Sequence, residues 1–524
     1  LDGRVCPDPA VVNLSVGPRW GQLQPGGRMG IEIDRERFDD ADYQRFTARL
    51  EHCLQALGQL LERPGFGVGQ QTIGAELELF LIDDQGRPLA KNQAILEDAG
   101  DPRLTLELDR FNLEVNPSPS PLAGQPLTAL GRELEGALAS VRATAATHGG
   151  RVAMVGILPT LRDEDLHRGA ITDAPRYRAL DWSLTRVRAE PFEIEISGRD
   201  PEPLRVVRDN IVMEGANTSF QVHLRVDPGD YVRSFNAAQL ATAPVLAAAG
   251  NSPLFLGKVL WEETRIALFE QAADDRDTPA QERLVSRVAF GTDWLRTSIL
   301  DLFEESVRHH EPLLPICGDQ DPLAALDAEG VPRLDELRLH QGTVWRWNRA
   351  IYDSGFGGHL RIEMRPLPAG PTVVDMLANA AFLLGLTLAL APSADDWTNK
   401  LLFARAHANF YDAARLGLEA ELGWPGDGGR PDRVGAAELA RRLLPEARRG
   451  LVEAGVDETE ADRLLGVIGD RVAAGQTGAV WQRRTLAALE ARGAGRDRAV
   501  VELLERYLEL QATGEPVHTW PVDG

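Results

Sequence analysis

The stretch QTIGAELELFLID, Gln71 to Asp83, alternates strictly: Ile73, Ala75, Leu77, Leu79 and Leu81 fall on one side, and Gly74, Glu76, Glu78 and Phe80 on the other. A period of two predicts a β-strand with one buried face, and the turn-like DDQGRP that follows ends it. The two carboxylates stand about 7 Å apart along the strand at a rise of about 3.3 Å per residue. On one strand alone, such acids fit a solvated face as well as a site. The pattern recurs, however. Leu104, Leu106 and Leu108 oppose Thr105 and Glu107, and Phe111, Leu113 and Val115 oppose Asn112, Glu114 and Asn116. Phe220, Val222, Leu224 and Val226 oppose Ser219, Gln221, His223 and Arg225; Leu360, Ile362 and Met364 oppose His359, Arg361, Glu363 and Arg365. Glu is a poor strand former, and repeated conflict between propensity and pattern marks functional surfaces.

Around these strands the chain divides by composition. Residues 1 to about 34 are rich in Gly and Pro and predict an irregular arm. DDADYQRFTARLEHCLQALGQLLE, from Asp39, predicts a capped amphipathic helix that stops at Pro64 and Gly65. A helix is expected over Leu127 to His148, strands over Val152 to Leu158 and Phe192 to Ile196, and almost only helices from Thr372 onward, broken at GWPGDGGRPD. The fold class is therefore α+β: a curved, mainly antiparallel sheet with a carboxylate-lined concave face, packed by helices, and a helical C-terminal third. The expected units are an N-terminal arm and helix over 1–70, a catalytic domain over 71–420 and a helical region over 421–524 packed on it.

The 524 residues carry 56 Lys plus Arg against 79 Asp plus Glu, a formal charge of −23. That excess disfavours nucleic acid and anionic membrane as partners, because both need a basic surface to displace counterions, and leaves small-molecule substrates. Nothing in the sequence sets an oligomeric state. Cys6, Cys53 and Cys317 are odd in number and far apart, so neither a disulfide framework nor a zinc site is indicated and a cytoplasmic location is expected. The N-terminus does not read as a signal peptide. The apolar run Met376 to Ala391 is shorter than the ~20 residues that span a bilayer and predicts a buried helix. GNSPLFLGK has the wrong glycine spacing for a P-loop and Val259 where Ser or Thr is needed. GFGVG, Gly65 to Gly69, stands between helix and strand, the reverse of a dinucleotide fingerprint.

If the polar strand faces line one concave surface, four or more Glu carboxylates share a space in which they cannot all stay ionised unless cations offset them. Hard oxygen donors favour Mg²⁺ or Mn²⁺, two or more ions, and one His among them fits. Arg361 and Arg365 flank Glu363 where phosphate oxygens would sit; the bland alternative is that they pair with neighbouring acids. Carboxylates, divalent ions and arginines together are the apparatus of phosphoryl transfer without a P-loop. Glu193 and Glu195 read as a wet face, Trp345 and Trp347 as core or pocket lining, His309 and His310 as surface, and Cys53 as packing.

At these residues the sequence resembles the glutamate-cysteine ligase type 2 family of carboxylate-amine ligases, whose sheet is glutamine synthetase-like. The resemblance lies in GAELELFLID, LELDRFNLEVNPSP, SFQVHLRV, GNSPLFLGK, HLRIEMRPLP and NFYDAARLGLEA, with an echo in GQTGAVWQ, Gly475 to Gln482. It implies that Glu76, Glu78, Glu107, Glu114, His223 and Glu363 hold the divalent ions, that Arg365 contacts the transferred phosphoryl group with Arg361 nearby, and that Gln221 and Asn112 bind substrate. It further implies ATP as cosubstrate and an amide formed through an acyl phosphate from the glutamate γ-carboxyl and the cysteine amine, a step of glutathione biosynthesis. Alternatives are a ligase for another amino acid or amine pair in secondary metabolism, a phosphotransferase on a related fold, and a non-catalytic binding protein. Residues 1 to about 70 lie outside the resemblance, and Ser219 to Val226 departs from the family pattern, which leaves the amine acceptor open.

Overall fold

The computed structural model describes residue 33 and residues 35–188, 190–276, 285–425 and 431–522. The Gly- and Pro-rich arm expected over 1–34, with Cys6, lies outside the described residues apart from Ile33. Strands in chain order are β1 Thr72–Ile82, β2 Leu104–Leu106, β3 Asn112–Val115, β4 Ser120–Pro121, β5 Arg151–Ala153, β6 Phe192–Ile196, β7 Leu204–Arg208, β8 Phe220–Val226, β9 Leu254–Phe255, β10 Lys258–Val259, β11 Asn348–Asp353, β12 His359–Met364, β13 Glu421–Pro425 and β14 Pro431–Gly435. Among the described residues, eight of them form one curled sheet of order β11-β12-β8-β1-β3-β2, with β4 and β5 paired to the two ends of β1. Every pairing in it is antiparallel.

The alternation of β1 explains its place. Ile73, Leu77, Leu79 and Leu81 are at most 1% exposed, and with Leu113, Val222, Leu224 and Ile362 they make the apolar face. Helices Pro126–Thr147, Tyr231–Ala249 and Val373–Leu390 cover it. The apolar run in the last of these is a core helix, wrapped by Tyr231–Ala249, Ala436–Glu453 and Glu458–Ala474. The first helix, Asp40–Glu62, begins at an Asp39 cap with a reciprocal Asp42 box and buries Phe46, Leu50, Cys53, Leu57 and Leu60.

The structure corrects several local expectations. The strand expected to reach Leu108 ends at Leu106, because Glu107 to Arg110 turn back toward β3. The strand expected over Val152 to Leu158 pairs only through Ala153; beyond it the apolar chain is buried without a ladder partner. About the break expected at GWPGDGGRPD, Glu421–Pro425 and Pro431–Gly435 pair as antiparallel strands in the otherwise helical third; residues 426–430 lie outside the described residues. His310, expected at the surface, is 4% exposed; it follows helix Ile299–His309 and turns inward, where burial first and then Arg287 and Arg346 hold its pKa down at about 2. Glu193 and Glu195 are exposed on β6, and Trp345 and Trp347 are both buried.

Candidate active site

Register builds the polar face of the sheet. Glu78 on β1 stands opposite Glu114 on β3, Glu76 opposite Gln221 on β8, and Gly74 opposite His223. His223 in turn faces Glu363 on β12, which faces Arg349 on β11. Side chains opposite one another across antiparallel strands lie within about 5.5 Å at Cβ, so residues far apart in sequence become one surface.

Two groups of donors result. In the first, ligand atoms of Glu76, His223 and Glu363 lie within 4.8 Å of one another, with His223 Nε2 3.2 Å from Glu76 Oε1 and 3.8 Å from Glu363 Oε1. The second comprises Glu78, Glu107 and Glu114, again within 4.8 Å; the turn after β2 delivers Glu107. Gln221 and Arg365 join the two. The Gln221 amide donates to Glu78 Oε1 at 2.9 Å, its carbonyl accepts from Arg365 Nη1, and Arg365 also reaches Glu363 Oε2 at 3.3 Å.

The groups differ in charge balance. Burial works against ionisation of Glu363, but Arg349, Arg365 and His223 overcome it and hold its carboxyl well below the usual range. Burial of Glu76 is likewise outweighed by His223. The second group is poorer in cations, with Arg365 and Arg265 acting on Glu78. Burial, then the charge of Glu78, pushes Glu107 up to about 8; burial and the carboxylates of Glu76, Glu107 and Glu78 push Glu114 well above its ordinary value; and Glu78 is raised by burial despite Arg365. A set of converging hard oxygen donors short of positive charge, beside a second set containing one imidazole, fits divalent cations of the Mg²⁺ or Mn²⁺ type.

Arg361 stands two residues before Glu363 on β12, 3.5 Å from Asp353 Oδ2, and burial lowers its pKa. Asn112 is 2% exposed, and its amide donates to the Leu79 carbonyl at 3.5 Å, on the sheet backbone and not to the carboxylates. Three contributors were not singled out by the sequence pattern. Arg349 grips Glu363 with two nitrogens, Nη2 at 3.0 Å from Oε1. The alternation of NRAIYD, Asn348 to Asp353, carried that signal, because Arg349 falls on the face opposite Asn348, Ala350 and Tyr352. Glu214 and Arg265 line a narrow cavity with Glu78, Ser219, Trp347 and Arg365. Glu214 lies in a short turn between strands, where no periodicity exists, and burial, then Glu78, lifts it to about 8.

A family model described as glutamate-cysteine ligase family 2 matches residues 72–502. The chain belongs to that family. Among relatives of this glutamate-cysteine ligase family 2 member, the glutamate–cysteine ligase of Haloquadratum walsbyi is 26% identical over 194 residues, 36% of this chain and 45% of that one. The putative glutamate–cysteine ligase 2-1 of Nocardia farcinica is 30% identical over 120 residues, 23% of this chain and 30% of that one. The match thus spans less than half the length of these relatives. The fold is similar to the crystal structure of a glutamate–cysteine ligase of Francisella tularensis in complex with AMP, with a TM-score of 0.52 at 12% identity, covering 88% of this chain and 91% of that one.

Proposed function

We propose that this family member is an ATP-dependent carboxylate–amine ligase that joins the γ-carboxyl of glutamate to the amine of cysteine through an acyl phosphate. The observation that carries the reading is the pair of donor groups on one sheet face, bridged by Arg365 and Gln221. Membership of glutamate-cysteine ligase family 2 supports it, and the AMP complex of the Francisella tularensis enzyme supports a nucleotide as cosubstrate.

The chemistry needs an oxygen of the carboxylate to attack the γ-phosphorus of ATP as ADP departs. The amine nitrogen then attacks the acyl carbon, the C–O bond to phosphate breaks, and nitrogen gives up a proton. Hydroxide is a poor leaving group and phosphate a good one, which is why activation precedes amide formation. Such transfer is mainly positioning and charge stabilisation. Glu76, His223 and Glu363 would hold one cation and Glu78, Glu107 and Glu114 another; bound there, such ions neutralise phosphate charge. Arg365, fixed between Glu363 and Gln221, presents a guanidinium at the junction of the two groups, where a transferring phosphoryl group needs a cation. Arg349 fixes Glu363, and Gln221 holds Glu78 in place.

The test is ADP release from ATP and Mg²⁺ with glutamate, cysteine, the pair, and a panel of other amino acids and amines. Release that requires glutamate plus cysteine is the expected result. Release with a different pair replaces the substrates and keeps the chemistry, whereas release with one substrate and a stable phosphorylated product makes the protein a phosphotransferase.

A further inference from the structure

The turn that brings Glu107 to the second donor group is held from outside the sheet. Glu78 and Glu114 are fixed by the ladder between β1 and β3, but Glu107 stands past the end of β2, where no ladder positions it. Irregular backbone must find partners for its carbonyls elsewhere, and every carbonyl from Leu106 to Asn112 has one. The Tyr177 hydroxyl, on helix Pro175–Arg188, donates to the Leu106 carbonyl at 2.7 Å. Thr172 donates through its hydroxyl to the Glu107 carbonyl at 2.6 Å and through its N–H to the Leu108 carbonyl at 2.7 Å. Asn92, first residue of helix Asn92–Ala99, takes three more. Its side-chain amide donates to the Asp109 and Asn112 carbonyls at 3.1 and 3.2 Å, and its backbone N–H to the Arg110 carbonyl at 2.9 Å. The Phe111 carbonyl is left to the Leu81 N–H of β1, at 2.7 Å.

The two main anchors are themselves joined. Asn92 Nδ2 donates to Thr172 Oγ1 at 2.8 Å; a hydroxyl has one hydrogen, so accepting there leaves that hydrogen for the Glu107 carbonyl. The Gln93 N–H donates to Asn92 Oδ1 at 2.8 Å, which fixes the amide end that faces the turn. Thr172 and Asn92 are 0% and 1% exposed, so water cannot replace these bonds. Converging carboxylates repel one another, and Glu107 is the member of its group that a loose turn would let swing away. We propose that Asn92 and Thr172 are positioning residues for the second donor group: they set where Glu107 stands, and through it the affinity of that group for its cation. The inference deepens the proposed function and rests on it for one point, that these carboxylates hold a cation.

Equilibrium binding of Mn²⁺ to the full-length chain, without nucleotide or amino acid and read from the electron paramagnetic resonance signal of free Mn²⁺, tests it. Wild type is expected to show two classes of site, and Glu114→Gln to identify the class that belongs to the second group. Thr172→Val keeps the shape and removes the hydroxyl; it should weaken that class at least about tenfold and leave the other within about twofold. Thr172→Ser, which keeps the hydroxyl, should bind as wild type. Asn92→Asp, which keeps the acceptor for Gln93 and loses the donors, should act on the same class as Thr172→Val. Two unchanged classes in Thr172→Val overturn the proposal, as does equal weakening of both classes or a loss that Thr172→Ser shares, each of which marks a role in folding alone. Wild type that binds no Mn²⁺ overturns this inference and the donor-group reading together. Because no turnover is read, the failures separate: selective weakening in Thr172→Val with no ADP release by wild type from any pair sinks the ligase reading alone, and unchanged classes beside normal ADP release sink the positioning role alone.

Discussion

At the scale of single residues, Glu363 has the most to lose. It is 2% exposed, opposes His223, and takes two nitrogens of Arg349 and one of Arg365. Glu363→Gln removes a charged donor from the first group and leaves Arg349 without its carboxylate. Turnover is expected to fall at least about a hundredfold, with a higher Mg²⁺ concentration needed for half-maximal rate, in line with the ~10- to 100-fold effects of disturbing metal-site partners. Normal kinetics and unchanged metal dependence would remove Glu363 from the site. The second group predicts a pH effect. Glu107 is raised from its ordinary 4.5 to about 8 and Glu114 well above its own ordinary value, so both favour the protonated form in the fold. Their contribution to stability is present below the ordinary carboxylate pKa and is lost as pH rises toward 8. Metal-free protein should therefore melt at lower temperature at pH 8 than at pH 6, and added Mg²⁺ should restore the loss and release protons as it binds; thermal unfolding across that range checks both. Most of this site could be read from the chain because a strand has a period of two. Glu76 with Glu78, Glu114, Gln221 with His223, and Arg361 with Glu363 each declared their face. What the period does not declare is the neighbour across the strand, so Arg349 escaped, as did Glu214, which has no period around it.

At the scale of elements, two segments matched by the family's sequence pattern prove to be joined. The start of helix Gly478–Ala491 docks on the segment after helix Tyr231–Ala249: Ala479 N–H donates to the Gly250 carbonyl at 2.8 Å and Gln482 Nε2 to Asn251 Oδ1 at 2.9 Å. A Cβ at Gly478 would lie 2.1 Å from Asn251 Oδ1, so only glycine permits that approach. Asn251 donates onward through its amide to the Ala369 carbonyl and Tyr507 Oη, at 2.7 and 2.9 Å, and through its backbone N–H to Glu263 Oε2 at 2.9 Å. Glu263 holds Arg265 by an ion pair of 3.1 Å. The chain of contacts thus runs from the C-terminal helices to the cavity wall. Asn251→Ala strands several buried groups at about 1–3 kcal/mol each, and a clear fall in the midpoint of chemical denaturation is expected, with Asn251→Asp, which keeps the acceptor but not the donor, intermediate. The helices and β1, β8 and β12 were legible because each is long and periodic. β4 was not, because two residues cannot establish a period, and the strand expected over Val152 to Leu158 overran β5 because the apolar run continues past Ala153.

At the scale of the whole molecule, the last 50 residues behave as a clasp. Tyr507 donates to the Met154 carbonyl at 2.9 Å, Gln511 donates to the Met154 and Pro371 carbonyls at 2.7 and 2.6 Å, and the Val517 N–H meets Asp375, itself paired with Arg471 at 2.8 Å. Trp520 packs edge to face on Trp481 and on Tyr507, and those two rings meet tilted. A chain ended after Ala474 keeps the Asp375–Arg471 pair and loses the other contacts, and we expect it to be recovered as aggregate or to unfold at markedly lower denaturant than the full chain. A fragment that stays monodisperse and equally stable would show the C-terminal helices to be dispensable.

The order in which the carboxylate-bearing strands lie in the sheet has a further consequence. Glu363, on β12, is brought to Glu76 only through β8, so the face closes when the strand made last among the donors has been added. On the ribosome, Glu76, Glu78, Glu107 and Glu114 emerge long before their arginine counter-charges at 349 and 365. For most of its synthesis the nascent chain therefore exposes an acidic half-sheet, and chains stalled short of residue 348 should gain no protease resistance from Mg²⁺ and nucleotide, while released full-length chains should.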